Sequence, residues 1–493
     1  MTPRATEGAL AEHARHATPL CVDLDGTLVR GDLLAEQMVE LARRRPALLL
    51  RLPFWLTRGR ARLKEEIASR VSIDPRHLPY NPELLALLER ERRAGRRIVL
   101  VTATHRSTAR RIADHLGLFD EVIATERDVN LKGRTKRDEL VRRFGERGFD
   151  YAGNSSVDVP VWSAARAAIV VNCARRVASR VACPPERVLD RQRGMAGRLA
   201  SAIRVRQWVK NLLIFVPMLL AWRSGELPLV GQALLAFVSF SFGASAIYVL
   251  NDLLDLGPDR THPTKCRRPF ASGDLPLAVG VLVAPALAVA SVALAAFLPP
   301  HYLPVLLLYF LLTSAYSMAL KRVVLIDVLL LAALYSLRIT AGSAATGVAV
   351  SEWLLAFSLF IFLSLGGVKR YVELHRNQRE TKAGVERLVP GRGYVPSDLA
   401  IILQMGLSSG YMAVLVLALY VSSETVTVLY HRPSILWFVC PLLLYWISRV
   451  WMLAHRGRLR EDPVMFAVRD RVTWVVAALA SAIALAARGT LSG

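Results

Sequence analysis

The feature that most limits what this 493-residue chain can fold into is a change of character near residue 200. Before it the sequence is charged and mixed; after it, apolar segments follow one another to the C-terminus. Segments long enough to cross a bilayer, or nearly so, run at about 207–222, 229–251, 275–297, 302–320, 323–346, 350–367, 398–421, 434–454 and 472–488. Nine spans are therefore expected, the first short and holding Lys210, as a tilted or partly interfacial segment would. The connections between them test the count. Four Lys/Arg fall in 252–274, seven in 368–397 and five in 455–471, with Lys321 and Arg322 in the remaining even-numbered connection. Those at 223–228, 298–301, 347–349 and 422–433 hold only Arg223 and Arg432. Basic residues collect in cytoplasmic loops. The alternation thus puts the N-terminal domain and the basic loops in the cytoplasm, and the C-terminus outside. A multi-pass protein of a bacterial inner membrane is the expected setting.

The same loops account for the formal charge of +23, so no nucleic-acid partner is expected. Cysteines at 21, 173, 183, 266 and 440 show neither CxxC spacing nor a disulfide framework and are read as reduced thiols. Residues 1–18 are polar and lack the apolar core of a signal peptide.

At the end of the second apolar segment lies Asn251-Asp252-Leu253-Leu254-Asp255-Leu256-Gly257-Pro258-Asp259. Three carboxylates this close share one helix face or its first loop turn. Uncompensated charge at a membrane exit is expensive, which favours ligands over solvated acids capping a helix. Hard oxygen ligands suit Mg²⁺ carrying a diphosphate. His262-Pro263-Thr264-Lys265-Cys266-Arg267-Arg268-Pro269 sets three cations directly behind the acids, the order of a metal-bridged polyphosphate clamp.

An NDxxDxxxD run followed by HPxKxxRP in a nine-helix membrane body resembles the UbiA superfamily of intramembrane prenyltransferases. The resemblance covers residues from about 200 to the C-terminus. Its aromatic prenyltransferases carry a second aspartate-rich motif after the sixth helix; here the chain reads Gly366-Gly367-Val368-Lys369-Arg370-Tyr371-Val372-Glu373-Leu374-His375-Arg376, with one acid and several cations. Lys369 and Arg370 there would neutralise phosphate directly rather than through a second metal. The combination is similar to the decaprenyl-phosphate phosphoribosyltransferase branch. Tyr316-Ser317-Met318-Ala319-Leu320-Lys321, then Asp327, Tyr335 to Gly342 with Arg338, and Glu461 to Arg471 support it.

That resemblance implies transfer of 5-phosphoribose from phosphoribosyl diphosphate to a polyprenyl (decaprenyl) phosphate, toward a cell-envelope arabinan precursor. Asp252 and Asp255 would act in catalysis and, with Asp259, hold Mg²⁺. Asn251, Lys210, Lys265, Arg268, Lys321, Arg338, Lys369, Arg370, Tyr248 and Tyr316 would bind substrate. Ordinary explanations stand beside several of these. Lys321 and Arg322 also fit membrane-anchoring cations, Tyr248 and Tyr316 interfacial packing, and Asp327 with Arg338, eleven residues apart on one helix face, a buried ion pair. Asp462 and Asp470 would face the cytoplasmic mouth, although capping the final helix explains Asp470 equally. The alternative function is a UbiA-type aromatic prenyltransferase using isoprenyl diphosphate, with a regulatory or inactive N-terminal domain. A homo-oligomer is compatible with the sequence.

The N-terminal part, taken as residues 1–195 with the membrane domain at 196–493, carries separate chemistry. Pro19 to Leu28 reads as a strand ending in Asp23-Leu24-Asp25-Gly26-Thr27 and resembles the first motif of haloacid-dehalogenase-like (HAD-like) phosphatases. Asp23 would be the nucleophile and Asp25 the acid/base. A second strand, Arg97 to Thr104, ends in hydroxyls; Thr104 is preferred over Thr102 as the phosphoryl contact. The lysine is Lys132 or Lys136, with Lys136 better placed at a helix start. The fourth motif, Tyr151-Ala152-Gly153-Asn154-Ser155-Ser156-Val157-Asp158, has Asn154 where family members carry an acid. Asp23, Asp25 and Asp158 would hold a second Mg²⁺. A helical insert at about 33–90 looks like a cap, and its Arg43, Arg44, Arg45 and Arg51 fit either anionic lipid or solvent. The resemblance implies an α/β HAD-like Rossmannoid domain fused to an all-α polytopic membrane domain, with the phosphatase removing the 5-phosphate that the transferase delivers.

Overall fold

The computed structural model describes residues 18–126, 130–173, 177, 179, 185–189, 194–380, 392–427, 429–459 and 462–489. Two compact units form. The first takes residues up to Ile203 together with Tyr248–Val283; the second takes Arg204–Ile247 and Ala284–Gly493. Beside the expected division at 195/196, the first unit runs on to Ile203, and the aspartate-rich stretch clusters with the N-terminal domain. The reason lies in its own contacts, since Arg260 donates to both carboxylate oxygens of Glu36 at 2.9 and 2.7 Å, and Gly273 packs against Arg30.

In the first unit a six-stranded parallel sheet has the order β3-β2-β1-β4-β5-β6. The strands are β1 (Leu20–Val22), β2 (Ile98–His105), β3 (Glu121–Thr125), β4 (Asp150–Gly153), β5 (Ala168–Val171) and β6 (Pro185–Leu189). Leu20 pairs with Ile98 on one side and Asp150 on the other, so β1 is the central strand. Alternate residues feed opposite faces. Leu20, Val22, Ile98 and Leu100 pack on one core, while Cys21, Val99, Val101 and Tyr151 pack on the other. The chain leaves β1 where the strand order reverses, and the carboxyl ends of strands at such a point form a natural ligand crevice.

The helical cap is shorter than the expected 33–90 insert. Helices Leu33–Arg44, Leu52–Thr57 and Arg60–Ala68 close around their own cluster of Leu41, Trp55, Ile67 and Val71. Helix Pro82–Arg93 instead packs Leu84, Leu87 and Leu88 into the sheet core, because its apolar face meets Leu20 and Ile98 rather than the cap.

Among the described residues, seven helices are long and apolar enough to cross a membrane: Leu227–Leu254, Leu277–Ala295, Ile326–Thr346, Glu352–Gln378, Pro396–Val421, Pro433–His455 and Arg471–Arg488. Tyr302–Met318 is a shorter apolar helix, so eight of the nine expected spans have a helix of their own. The remaining segment, 207–222, is not a single regular α-helix. Val205–Phe215 is a 3₁₀ helix followed by the five-residue helix Val216–Leu220. Its backbone presses directly on helix Ile326–Thr346, where Gly342 allows the approach: a Cβ there would lie 2.0 Å from the Ile214 carbonyl oxygen. This turn of backbone buries Lys210 and Asn211.

Candidate active sites

In the first unit, the sheet delivers Asp23 and Asp25 directly after central β1. Gly26 has φ +76°, a left-handed conformation that glycine adopts without strain. Asp23 is buried; its Oδ1 accepts from Lys136 Nζ at 2.6 Å and its Oδ2 from Thr27 Oγ1 at 3.2 Å. Lys136 also donates to the Tyr151 hydroxyl at 3.0 Å, which donates in turn to Asp158 Oδ1 at 2.8 Å. Of the two lysines left open by sequence, Lys136 is thus the one beside Asp23, and Lys132 is exposed. Asp25 Oδ2 accepts from Thr104 Oγ1 at 2.6 Å and Thr102 Oγ1 at 3.4 Å, and its Oδ1 from the Leu33 amide at 2.9 Å. The cap adds Lys64, which donates to the Ala103 carbonyl at 2.5 Å and to Asn130 Oδ1 at 2.9 Å.

Burial sets the electrostatics here. It pushes the Asp23 carboxyl up to about 7 against the pull of Lys136, with Asp158 and Asp25 adding to the rise. Burial also raises Asp25, helped by Asp32, and lowers Lys64.

Asp158, expected as a metal ligand, is taken up differently. Its Oδ2 accepts from the Asn154 and Ser155 amides at 3.2 and 3.0 Å and from Ser155 Oγ at 2.9 Å, so it fixes the loop that carries Asn154. The Asn154 amide lies in the space a Cβ on Gly26 would fill, 2.0 Å from that position. Asp23, Asp25 and Asn154 bring side-chain oxygens to the Asp23–Gly26 turn, and oxygen donors suit Mg²⁺.

The aspartate-rich stretch, also in this unit, breaks the helix after Leu254. Asp255 stands at the N-terminal boundary of a short helix, Leu256–Thr261, without a side-chain cap hydrogen bond. Asp252 and Asp259 are both buried and converge on Arg268 Nη1, at 3.0 and 2.6 Å, while Lys265 Nζ lies 3.9 Å from Asp259. Asn251 and Tyr248 stand half-buried on the last turns of the preceding helix. Among the described residues, no three His, Cys, Asp or Glu side chains gather into a metal-holding group in either site. The expected trios of carboxylates are therefore not assembled: Asp25 and Asp158 are turned to hydroxyl and amide donors, and Arg268 lies between Asp252 and Asp259. The donor chemistry still fits Mg²⁺, which commonly binds through one or two carboxylates and completes its shell with substrate phosphate.

The second unit holds a separate polar cluster. Asp462 Oδ2 pairs with Lys210 Nζ at 2.8 Å and Lys369 Nζ at 3.4 Å, and its Oδ1 accepts from the Tyr335 hydroxyl at 3.5 Å. Asp462 also caps helix Pro463–Arg469. The two lysines hold its carboxyl below the usual range although burial opposes them. Arg338 Nε donates to Asn211 Oδ1 at 2.9 Å, and its guanidinium lies 5.2–5.4 Å from the Tyr309, Phe240 and Tyr335 rings.

Other expected substrate residues are engaged within the helices. Arg370 is fully buried and pairs with Asp327 and Glu373; Asp327 also accepts from Tyr394 at 2.6 Å. The intramembrane pair is thus Asp327–Arg370 rather than Asp327–Arg338, and it answers the Arg370 charge inside the protein. Tyr316 accepts from Arg392 at 3.0 Å, and the Lys321 carbonyl accepts from the same guanidinium at 3.2 Å. Asp470 caps the final helix and pairs with Arg449 at 2.7 Å. Glu461 and loop residues 381–391 lie outside the described residues.

Sequence reasoning did not single out Lys64, Tyr151 or Asn211 as site residues, and it placed Asp462 only at the cytoplasmic mouth, without its lysine partners. Asp462 left a visible signal, an acid before a proline between two apolar segments. Lys64 left none, since a lysine on a cap helix reads as solvated.

Comparison with known proteins matches residues 212–474 to the UbiA prenyltransferase family and residues 20–162 to the haloacid dehalogenase-like hydrolases. A protein of Sinorhizobium fredii called uncharacterized protein y4nM is 39% identical, covering 95% of this chain and 91% of that one. The decaprenyl-phosphate phosphoribosyltransferase of Mycobacterium tuberculosis is 32% identical over 57% of this chain and 90% of its own length. A solved UbiA homolog from Archaeoglobus fulgidus bound to GPP and Mg²⁺ is 16% identical with a TM-score of 0.45, covering 59% of this chain and 99% of that one.

Proposed function

Because the chain belongs to the UbiA prenyltransferase family and carries an HAD-like domain ahead of the membrane helices, we propose a two-step lipid enzyme. The membrane half moves 5-phosphoribose from phosphoribosyl diphosphate to a polyprenyl phosphate, and the HAD-like domain removes the 5-phosphate. The observation that carries this reading is the pairing of Lys210 and Lys369 with a single acid, Asp462, in a chain lacking the second aspartate-rich motif. Cations there suit a sugar phosphate and a lipid phosphate better than a second metal. The relative named decaprenyl-phosphate phosphoribosyltransferase supports the same reading.

The residues have the following roles. Asp252, Asp255 and Asp259, with Asn251, would hold Mg²⁺ in the transferase, and Asp23 and Asn154 would hold it in the phosphatase; bound there it would neutralise phosphate charge. Lys265 and Arg268 are assigned to the departing diphosphate with Tyr248 beside them, and in the second unit Lys369, Lys321 and Tyr316 are assigned to substrate phosphate. The C1–O bond breaks with oxocarbenium character and a lipid phosphate oxygen attacks C1. The acceptor is already anionic, so no strong general base is required.

In the HAD-like domain Asp23 attacks phosphorus and the ester oxygen leaves as the ribose hydroxyl, taking a proton from Asp25. Asp25 then draws a proton from water that hydrolyses the aspartyl-phosphate. Lys136 holds Asp23 in line, and Thr104 orients Asp25. The charge alternation of the loops supports cytoplasmic placement of both sites, in the bacterial inner membrane that this reading assigns.

Purified protein given phosphoribosyl diphosphate and polyprenyl phosphate should yield a lipid lacking the 5-phosphate. Asp23→Asn should stop at the phosphorylated lipid. An unchanged product from that variant would rule out the coupled reading.

A further inference from the structure

The cap carries a surface that neither reaction uses. Between Leu41 and Lys64 there is no Asp or Glu, yet there are eight cations: Arg43, Arg44, Arg45, Arg51, Arg58, Arg60, Arg62 and Lys64. Arg43 and Arg44 are answered by Glu40, and Arg62 by Glu65. Arg45, Arg51, Arg58 and Arg60 are exposed, and none forms an ion pair with a carboxylate among the described residues. Within the same stretch Leu50 is 85% exposed, and Phe54 and Leu56 are each 53% exposed. Among the described residues up to Ile203, the only other large apolar side chain so exposed is Met195.

The local fold explains how these side chains stay outside. The 3₁₀ helix Pro46–Arg51 runs into helix Leu52–Thr57, and Trp55, 4% exposed, pins the pair to Leu41, Ile67 and Val71. With Trp55 inward, Leu50 and Phe54, four residues apart, are left outward. The Arg58 guanidinium lies 4.3 Å from the Phe54 ring centroid, so an apolar surface and a cation are presented together. Solvation alone explains the arginines but not three bare apolar side chains among them.

We propose that residues 46–58 of the cap form a peripheral membrane contact, inserting Leu50, Phe54 and Leu56 at the headgroup boundary while Arg45, Arg51, Arg58 and Arg60 meet anionic headgroups. Apolar side chains ringed by cations are the composition of an interfacial segment. Each arginine near an anionic surface adds to binding. The bilayer is the favoured occupant over a second protein because this chain is itself a polytopic membrane protein, which keeps lipid tethered to the cap at high effective concentration. The proposal does not depend on which reaction the HAD-like domain performs.

Hydrogen exchange of the full chain tests it, comparing nanodiscs of phosphatidylcholine with nanodiscs of equal parts phosphatidylcholine and phosphatidylglycerol. Peptides within 46–58 should exchange about tenfold more slowly in the anionic discs. That protection should fall at high salt and disappear in Arg45→Gln/Arg51→Gln/Arg58→Gln and in Leu50→Ser/Phe54→Ser. Unchanged exchange of β1 and β2 in both variants shows that the domain stays folded. Equal exchange in both kinds of disc overturns the proposal. So does protection that persists in detergent and rises with protein concentration, the mark of a second copy covering the patch.

Discussion

Replacing Glu36 by Ala removes one partner of an ion pair between residues 224 apart in sequence. Glu36 sits on the first cap helix, whose N-terminal amide, Leu33, is held by Asp25; Arg260 follows Asp259 in the aspartate-rich stretch. The pair is bidentate, at 2.7 and 2.9 Å, with side-chain exposures of 9% for Arg260 and 4% for Glu36. Stripping one partner from a buried pair costs about 3–5 kcal/mol, because the remaining charge stays desolvated. Arg260 keeps a hydrogen bond to the Ala271 carbonyl at 3.1 Å, which favours the lower end. About 3 kcal/mol corresponds to roughly a hundredfold in an opening equilibrium. A two-unit membrane protein is not expected to unfold in one step, so local opening is the better readout than a melting temperature. Hydrogen exchange over residues 256–275 should accelerate by about that factor in Glu36→Ala, while β1 and β2 keep their protection. The charge-swapped double variant Glu36→Arg/Arg260→Glu should recover part of the loss. Unchanged exchange across 256–275 in Glu36→Ala would refute the reasoning, since no buried bidentate pair can be lost silently.

Lys136→Met should abolish phosphatase turnover, by about 10²-fold or more, while transferase product still accumulates; hydrolysis of a small phosphate monoester measures it. For pH, Asp23 must lose its proton to take a cation, and burial pushes that proton's loss up to about pH 7. Below this value, apparent Mn²⁺ affinity at the HAD-like site should weaken about tenfold per pH unit, flattening above it; electron paramagnetic resonance titration of free Mn²⁺ against Asp252→Asn protein checks the slope, and a flat response contradicts it. Asp327→Ala leaves fully buried Arg370 with Glu373 as its remaining carboxylate and should cost about 3 kcal/mol, the lower end for a broken buried pair, seen as early thermal aggregation in detergent. Asp327→Asn, which retains an acceptor for Tyr394, should cost less.

The parts of the molecule legible in the sequence are those fixed by short-range pattern. Asp23 and Asp25 follow a run of apolar residues that can only be a buried strand, and the apolar segments after residue 226 are long enough to be helices whatever surrounds them. Partners distant in the chain were not legible. Lys136, preferred over Lys132 in sequence for its place at a helix start, reaches Asp23 across 113 residues, a contact made by helix Arg134–Phe144. Asp327 and Arg338 share a helix face, so sequence spacing joins them. The neighbouring helix brings Arg370 to Asp327 instead, while Asn211 and three aromatic rings receive Arg338. The segment 207–222 has the composition of a span, but its 3₁₀ backbone buries Lys210 and Asn211 and sets the Ile214 carbonyl against Gly342.

The cap shows the same limit from the other side. Its arginines are plain in the sequence, yet composition assigns them equally to water and to lipid. Exposure separates the two, because Trp55 turns inward while Leu50, Phe54 and Leu56 remain out among unpaired arginines. A site that sequence can only half define is then of one kind throughout this protein. Residue types are set locally, but whether a charge meets a ligand, a lipid or another side chain is decided by which distant element packs beside it.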